Sequence, residues 1–164
     1  EIVPFVYMVH KRLDYLKEAM KSLRESDFPA SRVPLVISHD GHVPEMVTYV
    51  ESLKEVFPNL VQIFHPFACY DHPHTFPGDD PTLNEGYKGD SYGNPRSGWA
   101  TCAKHHWTWM MRTVWDKEFG LSDARKVDAM FFMEEDYVVA PNIYETIVEG
   151  LELAEKGGSD PDNE

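Results

Sequence analysis

The sequence predicts an α/β fold in which a mostly parallel sheet is flanked by helices, as in Rossmann-like domains. Short apolar runs alternate with amphipathic stretches of helical period, and this alternation is typical of a parallel sheet with right-handed crossovers. Polar and charged residues follow the apolar runs directly, at the edge where such sheets bind ligands. With 164 residues, 42% of them hydrophobic, the chain can form the core of one domain over residues 1–164.

The first half of the chain carries alternating predicted strands and helices. Strands are predicted at residues 2–9, 32–40 and 59–65, because each is a short apolar run of the kind found in buried strands. Helices are predicted at residues 12–26 and 43–57, where apolar side chains recur along one stripe. The stripe of the first helix consists of Leu13, Leu16, Met20 and Leu23, and that of the second consists of Val47, Val50, Leu53 and Val56.

The second half of the chain begins with a segment in which this alternation of strands and helices stops. Residues 66–96 are rich in Pro, Gly, Asp, His and Tyr without periodicity, which predicts a long functional loop, although a mobile surface loop has the same composition. A helix is predicted at 97–120, a strand at 127–133, a helix at 141–157 and a polar tail at 157–164. The residues of the 97–120 helix that we expect in the core are Met110, Met111 and Trp115.

The net charge limits the classes of ligand. The formal charge is -13, with 28 acidic against 15 basic residues, so the surface repels phosphate backbones and we expect no nucleic-acid partner. A nucleotide would need a local cation, a helix N-terminus or a metal ion, and the chain has no G-x-G-x-x-G or P-loop motif to bind it. The two cysteines, Cys69 and Cys102, are compatible with one bridge or with two reduced thiols.

An acidic triplet stands out within the run AMFFMEEDYVVAP. Glu134, Glu135 and Asp136 lie between two apolar stretches, and in an extended strand Glu134 and Asp136 share one face while Glu135 points the other way. Oxygen ligands at the rim of a sheet suit a hard divalent cation such as Mn²⁺ or Mg²⁺. A solvated acidic turn is the alternative, but the position behind a buried strand favours a metal ion that neutralises the triplet.

Other chemistry-bearing residues also follow predicted strands. Arg12 can bind a phosphate bidentately, or it can be a surface arginine of the first helix. Asp40 can accept hydrogen bonds from ribose hydroxyls or a base N–H, or it can be a turn residue. A zinc site would use His72, His74, His105 and His106. This alternative is weak because adjacent histidines face different directions on a helix.

Several segments together resemble one known family. They are FVYMVHKRLDYLKEAMKSLR, VISHDG, FHPF, FPGDDP, YGNPRS, KHHWTWMMRTVWD and FFMEEDYVVAPNIY, in this order along the chain. On them the sequence resembles the N-acetylglucosaminyltransferase II family over nearly its whole length. The sibling N-acetylglucosaminyltransferase I family has a related plan but lacks the KHHW helix and the FPG loop.

The resemblance implies a GT-A fold and a Golgi enzyme that acts at the lumenal face of the membrane. It implies UDP-GlcNAc as donor, Mn²⁺ as cofactor, and inverting transfer of GlcNAc in β-1,2 linkage to the α-1,6-arm mannose of N-glycans on glycoproteins. The type II membrane anchor of the family is expected to lie outside this chain.

The resemblance also implies a UDP pocket with two walls. The first wall would consist of Met8, Val9, His10, Lys11 and Arg12. The second would consist of Cys102, Ala103, Lys104, His105 and His106. Asp40 would hold the uridine, Arg12 would face the ribose-diphosphate, and Asp136 would be the Mn²⁺ ligand. Glu134 and Glu135 would lie at the donor sugar or at the waters of the metal.

Two features depart from the family pattern. The family's catalytic base, an Asp in an NWDW-like segment, and its second metal ligand, a His, have no match in these 164 residues. We expect both to lie beyond Glu164, so that the chain is truncated at its C-terminal side, carries the UDP and metal half-site and is inactive alone. The family's Cys pair is missing from the long loop. The alternatives are a silent UDP- and metal-binding fragment, an N-acetylglucosaminyltransferase I-like enzyme and, more remotely, a zinc hydrolase.

Overall fold

The fold is that of a computed structural model, which describes residues 2–76, 85–89, 91–93, 97–115 and 129–157. In chain order its elements are β1 (Phe5–Val9), α1 (Leu13–Arg24), β2 (Leu35–His39), α2 (Pro44–Ser52), β3 (Leu60–Phe64), α3 (Gly98–Trp115), β4 (Phe131–Glu134) and α4 (Ile143–Gly157). A 3₁₀ turn, Leu53–Glu55, follows α2. Each predicted strand and helix is present in the predicted order, within a few residues of its predicted bounds.

Parts of the predicted segments lie outside the described residues. They include much of the 66–96 loop, the last residues of the 97–120 helix, the start of the 127–133 strand and almost all of the polar tail that ends at Glu164. Among the described helices, none combines the length and the apolar character that crossing a membrane requires.

The four strands form one parallel sheet in the order β3-β2-β1-β4. Met8 of β1 pairs with Ser38 of β2 on one side and with Glu134 of β4 on the other, so the carboxyl ends of these strands are level. The chain adds β2 and β3 on one side of β1 and then returns to add β4 on the other side. The strand order therefore reverses between β1 and β4, and ligands bind at such a reversal in open α/β sheets.

Both faces of the sheet are covered. Phe5 and Tyr7 of β1 pack in one apolar cluster with residues of α1, α2 and α4, whereas Val6 packs in a second cluster with Met110 and Val114 of α3. Successive strand side chains point to opposite faces, which explains why one apolar run serves both layers. The mainly parallel α/β fold with flanking helices is confirmed.

The buried stripe of α2 differs from the prediction. Met46 and Val50 are buried, but Val47 is only partly buried and Val56 is exposed. The helix gives way to the 3₁₀ turn Leu53–Glu55, which has about three residues per turn. The tighter turn rotates Val56 away from the sheet, and Phe57 takes the buried position instead.

The core face of α3 also differs in part. Met110 is fully buried as predicted and Met111 is partly buried, but Trp115 is 46% exposed, so its prediction as a core residue was wrong. The buried side chains of this helix include Cys102, His106, Met110 and Val114. Trp115 follows Val114 and is therefore turned about 100° around the helix axis, away from the sheet.

Gly41 is the position at which the backbone most clearly requires glycine. Its φ is +88°, and a Cβ there would lie 2.9 Å from Cβ of Tyr70 and 3.0 Å from Cβ of Ala68. The loop after β3 therefore packs directly on the backbone that leaves β2. We expect Gly41→Ala to lower the free energy of unfolding by about 2–4 kcal/mol, because a left-handed backbone and a close contact are both penalised.

Guanidinium denaturation measures this loss, and Gly86→Ala is the matched control. Gly86 has a φ of +77°, and a Cβ added there would meet nothing within 4 Å, so Gly86→Ala carries only the backbone cost of about 1 kcal/mol. Equal losses in the two variants would show that the packing of the loop on Gly41 contributes nothing.

Candidate functional site

A cavity of about 400 Å³ lies at the carboxyl ends of β1, β2 and β4, at the reversal of strand order. Its lining consists of Met8, Val9, His10, Lys11, Arg12, Asp40, Cys69, Trp99, Cys102, Ala103, His106, Glu134, Glu135 and Asp136. All the residues predicted for the UDP and metal site are among them except Lys104 and His105, which are exposed on α3. The parallel sheet thus brings together segments that are far apart in the sequence.

Asp40 is the centre of a buried polar cluster. Its Oδ1 accepts hydrogen bonds from Nδ1 of His65 at 3.1 Å and from the backbone N–H of Cys69 at 3.2 Å. Its Oδ2 lies 2.9 Å from Nδ1 of His10. Burial alone raises the pKa of Asp40, but the contacts with His10 and His65 outweigh it and hold the pKa well below its usual range.

Histidines connect this cluster to α3. His65 Nε2 lies 2.8 Å from Nδ1 of His105, and the His65 ring stacks on His106 at 4.9 Å between centroids. Nε2 of His106 lies 2.9 Å from Oγ of Ser38 on β2. Burial lowers the pKa of His106 to about 4, although the charge of Asp40 acts in the opposite direction. His106 is therefore neutral at pH 7 and holds α3 to the sheet through hydrogen bonding.

Glu135 is neutralised by Arg12. The carboxylate is 2% exposed, and its Oε1 lies 2.6 Å from Nε of Arg12 while its Oε2 accepts the backbone N–H of His10 at 2.8 Å. Nη1 of Arg12 also lies 3.0 Å from Oδ2 of Asp136. Glu134 at the end of β4 is exposed, and so is Asp136 in the turn that follows, with Glu135 buried between them. Because β4 ends at Glu134, the extended strand that was predicted to run through Asp136 is not formed. The expected neutralisation by a metal ion is wrong for Glu135, because its partner is an arginine.

The cavity lining carries excess negative charge. Its four carboxylates are Asp40, Glu134, Glu135 and Asp136, and its basic residues are Lys11 and Arg12, which gives a net charge of −2 with histidines neutral. Arg12 is already engaged by two of these carboxylates. A diphosphate entering this cavity would therefore meet repulsion unless a divalent cation entered with it.

Two clusters among the described residues have the spacing of metal ligands. They are Asp40–His65–His106 and Asp40–Cys69–Cys102, each with ligand atoms within 4.8 Å of one another. Both ring nitrogens of His65 are already in contact with protein atoms, which favours a hydrogen-bonding role for the first cluster. His72 and His74 belong to no group of three in the part of the chain that the structure describes, so the zinc alternative lacks its ligand set.

Three residues near the cavity were missed in the sequence. Cys69 and Trp99 line it, and Trp99 is 69% exposed. Cys69 lies in the 66–96 segment, where the sequence has no periodicity to place a side chain, whereas Trp99 lies in the first turn of α3. The third residue, His65, donates a hydrogen bond from Nδ1 to Oδ1 of Asp40. Its position directly after β3 was the available signal, because polar residues at that edge converge on the site.

The model of the N-acetylglucosaminyltransferase II (MGAT2) family matches residues 1–158. The chain belongs to this family. The alpha-1,6-mannosyl-glycoprotein 2-beta-N-acetylglucosaminyltransferase of Arabidopsis thaliana is 37% identical over 156 residues, which cover 88% of this chain and 35% of the relative. The Homo sapiens protein of the same name is 30% identical over 155 residues, or 85% of this chain and 33% of the relative.

The chain thus spans about a third of the length of the curated relatives that it matches. Among solved structures, S. aureus TarS has a TM-score of 0.53 at 12% identity, covering 93% of this chain and 20% of TarS. TarS 1-349 in complex with UDP has a TM-score of 0.50 at 13% identity, covering 92% of this chain and 32% of that one. At such identities the likeness concerns the fold alone, and the GT-A, Rossmann-like glycosyltransferase fold is confirmed.

Proposed function

We propose that this chain is the UDP- and metal-binding part of an inverting N-acetylglucosaminyltransferase. The enzyme would move GlcNAc from UDP-GlcNAc, in β-1,2 linkage, to the α-1,6-arm mannose of N-glycans on glycoproteins, in the Golgi lumen. Family membership supports this reading, and so do the names of the relatives. The observation that carries it is the cavity at the strand reversal, lined by nearly all the residues that the family resemblance assigns to UDP.

The carboxylates at the rim fit a hard divalent cation. Asp136 reaches the surface of the cavity and its ion pair with Arg12 uses Oδ2, while Glu134 beside it is exposed. Carboxylate oxygens in such a place are ligands that Mn²⁺ accepts readily. Asp136 would hold the ion, with Glu134 near its waters or the donor sugar. When bound, Mn²⁺ would stabilise the diphosphate leaving group as a Lewis acid.

Asp40 has the capacity to recognise the base. A carboxylate offers about four lone-pair sites, and the two on Oδ1 are taken by His65 and the backbone of Cys69. Oδ2 has its contact with His10 and can accept one further hydrogen bond from the cavity. The imide N–H of uracil is a donor of this kind. Trp99 adds an exposed aromatic face to the same cavity, suitable for packing against a base or a sugar.

Deprotonation of the acceptor hydroxyl is not among the roles that we propose for the residues of this chain. Inverting transfer needs a base that removes the proton of the acceptor hydroxyl as its oxygen attacks the anomeric carbon. The expectation that this base lies beyond Glu164, together with the second metal ligand and most of the acceptor site, stays a prediction. It agrees with a chain that spans about a third of its curated relatives. The described residues would then bind and orient the donor.

Calorimetric titration of UDP into the full chain tests the proposal. We expect binding that requires Mn²⁺ and that weakens at least about tenfold in Asp136→Ala, because loss of one ligand weakens a metal site by that order. Glu149→Ala removes an exposed carboxylate of α4 and should leave the affinity unchanged. Binding that is indifferent to both Mn²⁺ and Asp136 would contradict the metal assignment. No UDP binding by a chain with native circular dichroism would contradict the nucleotide assignment.

A further inference from the structure

The two cysteines of the sequence meet at one wall of the cavity. Cys69 belongs to the loop after β3 and Cys102 to α3, and both line the cavity. Their sulfur atoms and a carboxylate oxygen of Asp40 all lie within 4.8 Å of one another. Both are reduced in this structure. Two thiols so close, on different elements, are a pair rather than two unrelated side chains.

The backbone on each side of this pair is held in place. The N–H of Cys69 donates to Asp40, and the neighbouring Ala68 is buried where the loop packs on Gly41. On the other side, Cys102 lies on the buried face of α3. His106, one turn further along, contacts Ser38 of β2. The fold therefore keeps the two sulfurs together without a bond between them.

We propose that Cys69 and Cys102 form a disulfide under oxidising conditions, and that this bond fixes α3 to the loop after β3 at the cavity wall. The inference goes beyond the proposed function, because the bond needs neither UDP nor a metal ion. Close sulfurs on backbones held by other contacts favour disulfide formation, since little chain entropy remains to be lost.

Thiol–disulfide exchange with oxidised glutathione supplies the oxidant. Cys69 is only partly buried, so its thiolate attacks one glutathione sulfur and releases the first glutathione. Cys102 then attacks the sulfur of Cys69 and releases the second. The two protein thiols are oxidised, one glutathione disulfide is reduced to two thiols, and the thiol protons pass to the departing glutathione. Burial and the hydrogen bond with Cys69 raise the pKa of Cys102, which agrees with its attacking second.

The test is a glutathione redox titration of the full chain, quenched by alkylation and followed by non-reducing peptide mapping. We expect a peptide that joins Cys69 to Cys102. We also expect the folded chain to be half-oxidised in a glutathione buffer at least about tenfold more reducing than the one needed for the guanidinium-unfolded chain. Equal midpoints for the folded and unfolded chains would overturn the proposal, and so would glutathione adducts at both cysteines.

Single substitutions provide the controls for the order of attack. Cys102→Ser should accumulate a mixed disulfide between glutathione and Cys69, whereas Cys69→Ser should leave the buried Cys102 unmodified while the chain is folded. Oxidation should raise the Tm of the wild-type chain by roughly 5–10 °C and leave that of the Cys69→Ser/Cys102→Ser variant unchanged. An unchanged wild-type Tm would show that the bond, if formed, fixes nothing.

Discussion

Acidification from about pH 7 to about pH 4.5 is expected to lower the free energy of unfolding by about 2–5 kcal/mol. His39 and His106 are both almost completely buried, and each has a pKa lowered to about 4 from the ordinary value of 6.5. A shift of this size corresponds to about 3 kcal/mol per group at full protonation. The expected loss for the two groups together is lower than twice this value, because relaxation of the structure around a charged imidazole reduces the cost of each.

Burial is the main cause at both positions. His39 faces Gln62, whose Oε1 lies 2.8 Å from Nε2, and its ring stacks on Phe64 at 4.8 Å. The hydrogen bond to Gln62 raises the pKa and the charge of His42 lowers it, but both effects are smaller than that of burial. At His106, Asp40 raises the pKa, whereas the other histidines of the cluster lower it.

The direction of the pH effect follows from these shifts. In the folded protein both imidazoles stay neutral down to about pH 4, whereas in the unfolded chain they bind protons from about pH 6.5 downwards. Below that pH the unfolded state binds more protons, so stability falls between about pH 6.5 and 4. Asp40 acts in a lower window. Its lowered pKa gives stability that is present above about pH 3.9 and is lost as the pH falls further.

Guanidinium denaturation at several pH values between about 7 and 4.5 measures the slope. His39→Gln keeps an amide near the position of Nε2 but cannot titrate in this range, so it should remove about half of the pH dependence. His74→Gln replaces an exposed histidine and should reproduce the wild-type slope. A free energy of unfolding that does not change across this range would show that the buried imidazoles become charged without opening the fold.

The fold and the location of the site could be predicted because both depend on local pattern. A parallel strand buried on both faces is a continuous apolar run, so β1, β2 and β3 could be read directly. The carboxyl ends of such strands meet at one edge, which places Asp40 and the acidic triplet together without further information. The burial of Glu135 between two exposed carboxylates does not follow from the two-residue period of a strand, because β4 ends at Glu134 and Glu135 lies in the turn after it.

The partners of these residues could not be predicted, because they depend on which strands are neighbours. Arg12 and Glu135 are 123 positions apart in sequence, and they meet only because β4 pairs with β1. The same limit applies to Cys69 and Cys102, which come from a loop without periodicity and from a helix. The error at Trp115 is of a different kind. This aromatic residue was predicted to be in the core without regard to its angle around the helix axis, and it is exposed.

Replacing Arg12 by Met is expected to lower the free energy of unfolding by about 2–3 kcal/mol. The substitution keeps an apolar stem but leaves the buried carboxylate of Glu135 without its cation, and breaking one side of a buried pair costs about 3–5 kcal/mol. We take a lower figure because the Arg12 side chain is 43% exposed, so water can partly replace it. Guanidinium denaturation at neutral pH measures the loss.

A double-mutant cycle with Glu135→Gln isolates the ion pair. The amide can still accept the backbone N–H of His10, which Glu135 accepts in this structure, and it removes the buried charge. Arg12→Met should therefore cost much less when Glu135→Gln is already present, with a coupling of about 1–2 kcal/mol. Additive losses would mean that Arg12 stabilises the fold through other contacts, such as the Tyr15 ring 5.1 Å from its Cζ.

The same variants test whether Arg12 contacts the diphosphate, as the family resemblance implies. Its Nε and Nη1 are already bound to Glu135 and Asp136, so its main effect on UDP would be to position these carboxylates. In that case Arg12→Met weakens Mn²⁺-dependent UDP binding, and the double variant recovers much of the affinity because Glu135→Gln removes the charge that Arg12 balanced. A direct contact with phosphate predicts no recovery, since the lost hydrogen bonds of the guanidinium cannot be supplied by an amide at position 135.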